Sequence, residues 1–205
     1  MYVSNQKIEE AIRVFEDHQG IMRTSEALEA GIYRRTLYHM RDHGYLEQLG
    51  RGVYKLKEKE PLSNPDLVIV VRKIPDAVIC LISALDIHDM TDEIPHKVHI
   101  ALSRTSRTPV MDYPPVNVYR YSDETLKAGV EIKKIDGISV NVFNPAKTIA
   151  DCFKFRNQIG LDVAIEALKR GINEGKATYG AIVKYAKLCK VERVIKPYLE
   201  TVGHG

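Results

Sequence analysis

The sequence predicts an α+β protein in two parts, and three observations carry that prediction. Residues 20–57 show helical spacing broken at Gly31 and Gly44, then two short apolar runs around Gly50-Arg51-Gly52. Between Lys97 and Phe143 four runs read as strands, the last two joined by Asp136-Gly137. From about residue 144 onward the pattern is helical. Together they give a winged helix-turn-helix over residues 1–58. A small mixed sheet with helices follows over residues 59–205, helical from about 144 and ending in a helical bundle.

The first helix is expected from about Asn5 to His18, where Ile8, Ala11, Ile12 and Phe15 share one face. A second, short helix follows Thr24 or Ser25, either of which can cap it through a side-chain oxygen. Ala27 and Leu28 should point inward, and Gly31 suits the tight turn between helices. The third helix spans roughly Tyr33 to His43, burying Leu37 and Met40, with Ile32 closing its start and Tyr45 and Leu46 its end. Gly44 occupies the position after a helix that favours a left-handed residue. Leu46 to Leu49 and Val53 to Leu56 then form the hairpin, with Arg51 at its tip.

The outer face of the third helix carries Tyr33, Arg34, Arg35, Tyr38 and Arg41. Such a helix presents its first turns to base edges, where arginine pairs with guanine through two hydrogen bonds. Tyrosines suit phosphate and sugar, and Arg51 and Lys55 on the wing suit backbone or minor-groove contact. Ser25, where the second helix begins, is a further DNA-binding candidate. The alternative for this stretch is a small helical subdomain with solvated arginines.

Charge alone does not single out this module. The 205-residue chain has a formal net charge of +3, with 44% hydrophobic and 28% charged residues. Residues 1–58 hold nine basic and nine acidic side chains, whereas 20–57 hold seven and four. From Lys147 onward there are eleven basic and six acidic residues, enough for extra phosphate contacts or an acidic protein partner. The polar, amphipathic start of the chain reads as neither signal peptide nor membrane span. Cys80, Cys152 and Cys189 are widely spaced and suit a reducing cytoplasm.

Lys57 to Pro61 is a charged connector that marks the domain boundary. Asn64-Pro65-Asp66 starts a helix to Lys73, by cap, proline and dipole. A second, buried helix is expected from about Asp76 to Leu85. Lys97–Leu102, Val116–Arg120, Val130–Ile135 and Ile138–Phe143 are expected strands. Asn144-Pro145 opens a helix to about Arg156, with Ile149, Ala150 and Phe153 inward. Three more helices lie near residues 161–170, 178–188 and 191–200.

Three segments carry a resemblance. They are TSEALEAGIYRRTLYHMRDHGYLEQLGRGVYKL, VICLISALDIHDMTDEIPHKVHIALSR and NPAKTIADCFKFRNQIGLDVAIEAL, and they resemble antitoxins of the AbiEi family. These are the antitoxin halves of type IV toxin–antitoxin systems, which act in abortive-infection phage defence. The resemblance implies a cytoplasmic repressor that binds repeats in its own promoter as double-stranded DNA. It also implies a C-terminal antitoxin domain that counters a nucleotidyltransferase toxin, a pairing described in the family without a stable complex. On the residues that match, DNA contacts would fall at Arg23, Thr24, Tyr33, Arg34, Arg35, Tyr38 and Arg51. Lys147, Asp151 and Lys154 are the polar candidates for antitoxicity, about one turn apart on one helix face. Their alternative is an ordinary solvated face. Lone regulators without a toxin share such domains, and their helical tails would bind another protein.

An enzyme would need a different constellation. DIHDMTDEIPHKVHI gathers Asp86, His88, Asp89, Asp92, Glu93, His96 and His99, but their spacing does not aim them at one metal. A metal-dependent nuclease acting on DNA could pair Asp76 with Glu131 and Lys133, which share one strand face. Asp76 at a helix start does not suit that arrangement. The expectation is no catalytic residue, no metal, no cofactor and no membrane partner.

Overall fold

Ile8, Ala11 and Phe15 recur at helical spacing, and helix α1 (Asn5–Asp17) buries all three. The computed structural model describes residues 3–202. They fall into two units: one runs to Pro75 and adds residues 112–114 and 134–139, and the other holds the rest.

In the first unit α1 is followed by β1 (Ile21–Arg23), α2 (Thr24–Glu29), α3 (Arg34–Asp42), β2 (Leu46–Gly50) and β3 (Val53–Leu56). The strands form an antiparallel sheet in the order β1-β3-β2. β1 is too short to show alternation, and both Ile21 and Met22 are buried, so periodicity did not reveal it. Phe15, Met22, Ala27, Leu37, Met40 and Tyr54 share one core. Leu28 is only half-buried, and Tyr45 is 42% exposed, so Leu46 alone closes the end of α3. Nor does Thr24 or Ser25 cap α2. The N-cap is Arg23, whose backbone N–H donates to Glu26 Oε2 at 2.7 Å. An acid reaching back from the third helical position thus replaces the expected hydroxyl.

The unit continues beyond the boundary expected at residue 58, through α4 (Pro65–Lys73). The Asn64 side chain accepts from the Leu67 N–H at 3.0 Å and Pro65 sits in the first turn, the cap-and-proline start read from the sequence. Val68 of α4 packs with Ile21, Val53 and Ile138. Buried apolar surface, rather than the charged connector, therefore decides where this unit ends.

The second unit contains β4 (Val78–Ile79), α5 (Leu81–Ile87), β5 (Val98–Ser103), β6 (Val116–Tyr121), α6 (Asp123–Lys127), β7 (Val130–Ile135) and β8 (Ile138–Phe143). The tip of the β7–β8 hairpin belongs to the first unit. The five strands run in the order β6-β5-β4-β8-β7. β4 pairs antiparallel with β5 and parallel with β8, and β5 pairs parallel with β6. The helix expected over Asp76–Leu85 is a misreading. Val78 and Ile79 are sheet residues, Ile79 opposite both Ile100 and Val142, and the helix starts only at Leu81. A strand with neighbours on both sides and a buried helix share the same apolar run, so spacing did not separate them.

Five helices complete the unit: α7 (Pro145–Lys154), α8 (Arg156–Ile159), α9 (Leu161–Asn173), α10 (Tyr179–Leu188) and α11 (Glu192–Val202). α7 is the axis, because every residue from Ala146 to Phe153 is buried and α5, α9 and α10 pack around it. Its start is fixed by Asn144, whose side chain accepts from the Lys147 N–H at 2.9 Å. Gly171 lets α9 close on α7: a Cβ there would stand 2.5 Å from Ile149 Cδ1.

Candidate nucleic-acid interface

The interface is built on α3, whose buried side fixes which residues face outward. Thr36, Leu37 and Met40 are buried, and at 100° per residue the opposite side carries Arg34, Arg35, Tyr38 and Asp42. Arg34 and Arg35 are exposed, Tyr38 is 38% exposed, and the N-cap residue Tyr33 is 72% exposed. No side chain caps α3, so its first-turn N–H groups stay open beside the two arginines. That end combines guanidinium donors with the positive end of the helix dipole.

Arg41 lies at the flank of this face and is less free. Its guanidinium meets Asp42 Oδ1 at 2.7 Å and lies over the Tyr38 ring, 5.0 Å from its centroid. The Asp42 hydrogen bond raises its already high pKa. At the far end the His39 and His43 rings meet with centroids 3.8 Å apart, tilted by 31°. The sequence reading did not single them out, because their spacing is that of any helix face.

The wing is fastened to the start of α2. The Thr24 N–H donates to the Gly52 carbonyl at 2.9 Å, and Thr24 Oγ1 lies 3.4 Å from the same oxygen. Gly52 has φ +75°, a left-handed backbone that side chains rarely adopt, so the tip favours glycine. Ser25 is exposed, while Arg23 is partly covered and paired with Glu26 at 3.2 Å. Arg51 projects from the tip with its side chain 89% exposed. Asp112 Oδ2 stands 3.8 Å from it, an acid far away in sequence that no local pattern could announce.

Lys55 does not join this surface. It is 4% exposed, and its amine donates to the Lys59 carbonyl at 2.8 Å. Every residue of β3 is buried because β1 and β2 flank it on both sides, which the alternation of a two-stranded hairpin did not anticipate. Lys55 is therefore removed from the DNA-contact set.

The antitoxicity candidates also need correction. Lys147 and Asp151 are both 0% exposed and form an ion pair inside the second unit, so neither presents a surface to a partner. Cys189 Sγ donates to Asp151 Oδ1 at 3.2 Å, and the Lys147 amine lies 4.1 Å from the Phe143 ring centroid. Only Lys154 is part-exposed, with its amine over the Tyr121 ring.

The acid- and histidine-rich segment resolves into separate structural roles. His88 Nε2 contacts the Phe143 carbonyl at 2.7 Å, whereas His99 lies on β5, its backbone N–H donating to Ser83 Oγ. His96 is exposed. Among the described residues no three His, Cys, Asp or Glu side chains gather as a metal set. Glu131 lies 3.9 Å from His88, and the Lys133 amine approaches the Ile87 carbonyl at 3.4 Å. Asp76 precedes a strand rather than opening a helix.

Residues 9–57 match the family model described as transcriptional regulator, AbiEi antitoxin. The match bears out the AbiEi resemblance. It runs from within α1 to the residue after β3, so it bears on the N-terminal module alone, which is similar to that of a transcriptional regulator. No curated protein matches the chain. Among solved structures, the RV2827C protein from Mycobacterium tuberculosis superposes with a TM-score of 0.60 at 14% identity, over 91% of this chain and 72% of that one. At that identity the likeness speaks for the fold, which thus extends beyond the AbiEi-type module into the second unit. No helix among the described residues is long and apolar enough to cross a membrane.

Proposed function

We propose that the chain is a DNA-binding repressor of its own operon and the antitoxin of a type IV system. The observation that carries this reading is the outward face of α3, where Arg34 and Arg35 stand exposed beside an uncapped helix start, with Tyr38 on the same face under the Arg41 guanidinium. Phosphate contacts from Thr24, Ser25 and Tyr33 set the module on the duplex, Arg34 and Arg35 read base edges in the major groove, and Arg51 enters the neighbouring groove. Arg23 and Arg41, each paired with an acid, support the face rather than read sequence. The target is a repeat in the chain's own promoter. The second domain counters a nucleotidyltransferase toxin in the cytoplasm without a stable complex.

The test is a reporter gene placed behind the DNA upstream of this protein's own gene. Supplying the protein from a second plasmid should silence the reporter, and Arg34→Ala with Arg35→Ala should restore it at equal protein level. A reporter indifferent to the protein would overturn the repressor reading.

A further inference from the structure

Among the described residues the five-stranded sheet ends at β7, whose outer edge has no strand beside it. Asp136 and Gly137 both have positive φ, +51° and +78°, the two-residue turn that closes a hairpin on Ile135 and Ile138. Pairing then alternates, so the odd residues of β7 bond across to β8. Val130, Ile132 and Lys134 aim their backbone N–H and C=O groups at the open edge. Their side chains are also the exposed ones, Ile132 at 70% and Val130 at 37%. An exposed apolar pair on an unpaired edge is the kind of surface that takes up another strand.

The charges on β7 choose the occupant. We propose that β7 pairs with β7 of a second copy, antiparallel about a two-fold axis at Ile132. In that register Ile132 faces Ile132 of the other copy and Val130 faces the aliphatic stem of its Lys134. Glu131 faces Lys133 on each side of the axis. Sliding the axis to Glu131 would set two carboxylates opposite each other, and sliding it to Lys133 would set two ammonium groups opposite each other. Parallel pairing in register would bring like charges together at 131, 133 and 134. The strand VEIKKI therefore fits itself in one register and resists its neighbours, and lysine excludes other edges while admitting this one. Such an interface is small and its dimer weak and reversible. This inference does not depend on the DNA-binding reading.

Sedimentation equilibrium on the full chain tests it. The mass should rise from 23.2 kDa toward twice that value as concentration increases over roughly 10–500 µM. Lys133→Glu should hold the protein monomeric, and the swap Glu131→Lys with Lys133→Glu should restore association, with circular dichroism confirming the fold of each. In parallel, a short bis-maleimide should join Ile132→Cys into a covalent dimer, because residues facing each other across the axis stand about 5.5 Å apart, wider than a disulfide spans and within reach of the linker. The three native cysteines are buried and should not compete. A mass of one chain throughout, association indifferent to Lys133→Glu, or an Ile132→Cys variant that stays single would each overturn the proposal.

Discussion

Lys147 and Asp151, one turn apart on α7, form an ion pair with neither side chain reaching solvent. The pair sits against the Phe143 and Tyr121 rings, and Cys189 supplies a further hydrogen bond to the carboxylate. Removing one partner strands a charge in an apolar site, which costs far more than the pair itself contributes. Lys147→Met should therefore lower stability by about 3–5 kcal/mol. Lys147→Met with Asp151→Leu should recover much of that loss, read as urea midpoints. Equal destabilisation in the single and double variants would contradict a coupled pair.

Acid should loosen the second unit through its histidines. Burial draws the His99 ring down from its usual 6.5 to about 4, with Lys97 adding to the effect. The unfolded chain therefore takes up a proton that the folded chain refuses until about pH 4. Stability from neutral His99 is full above pH 6.5 and falls as pH drops toward 4, by roughly 3 kcal/mol in all. His88, lowered by burial against the pull of the Phe143 carbonyl, acts in the same direction. His99→Leu should flatten the fall in urea midpoint between about pH 7 and pH 4.5 relative to the wild type. An unchanged slope would remove His99 from the explanation.

The three cysteines should be inert in the folded protein. Burial raises the thiols of Cys80 and Cys152, and burial with the Asp151 charge pushes Cys189 up to about 12. Thiolate, the reactive form, is scarce at neutral pH, and access is closed as well. A thiol-specific chromophore should titrate none in buffer and all three in denaturant. Fast reaction of any one in buffer would mean that the segment around it opens readily.

Arg51 offers a separate measure of the wing. Its side chain is almost fully exposed and its Asp112 neighbour is a solvent-screened pair, so the guanidinium is available to phosphate. Arg51→Ala should weaken binding to any duplex and reduce the slope of log affinity against log salt by about one. Lys55→Ala should leave that slope alone, since its amine is tied to Lys59. A change in slope for Lys55 instead of Arg51 would reverse this view of the wing.

Much of this was legible in the sequence where local chemistry decides the outcome. Asn64-Pro65 and Asn144-Pro145 announced α4 and α7, and Asp136-Gly137 announced the last hairpin. The outward face of α3 followed from spacing around Leu37 and Met40. What was lost depends on contacts distant in sequence. Lys55 looked like a wing cation until β1 covered one side of its strand, and Lys147 and Asp151 looked solvated until Phe143, Tyr121 and Cys189 closed around them. Val78 and Ile79 read as helix because a doubly flanked strand loses its alternation.

Fluorescence anisotropy shows whether Arg34 and Arg35 read base edges. The full chain and its Arg34→Ala and Arg35→Ala variants would be titrated onto labelled DNA from upstream of the gene and onto a random duplex of equal length, at one salt concentration. Each variant should lose about 1–3 kcal/mol on the upstream DNA and far less on the random duplex. Equal losses on both, or none on either, would contradict base reading by α3.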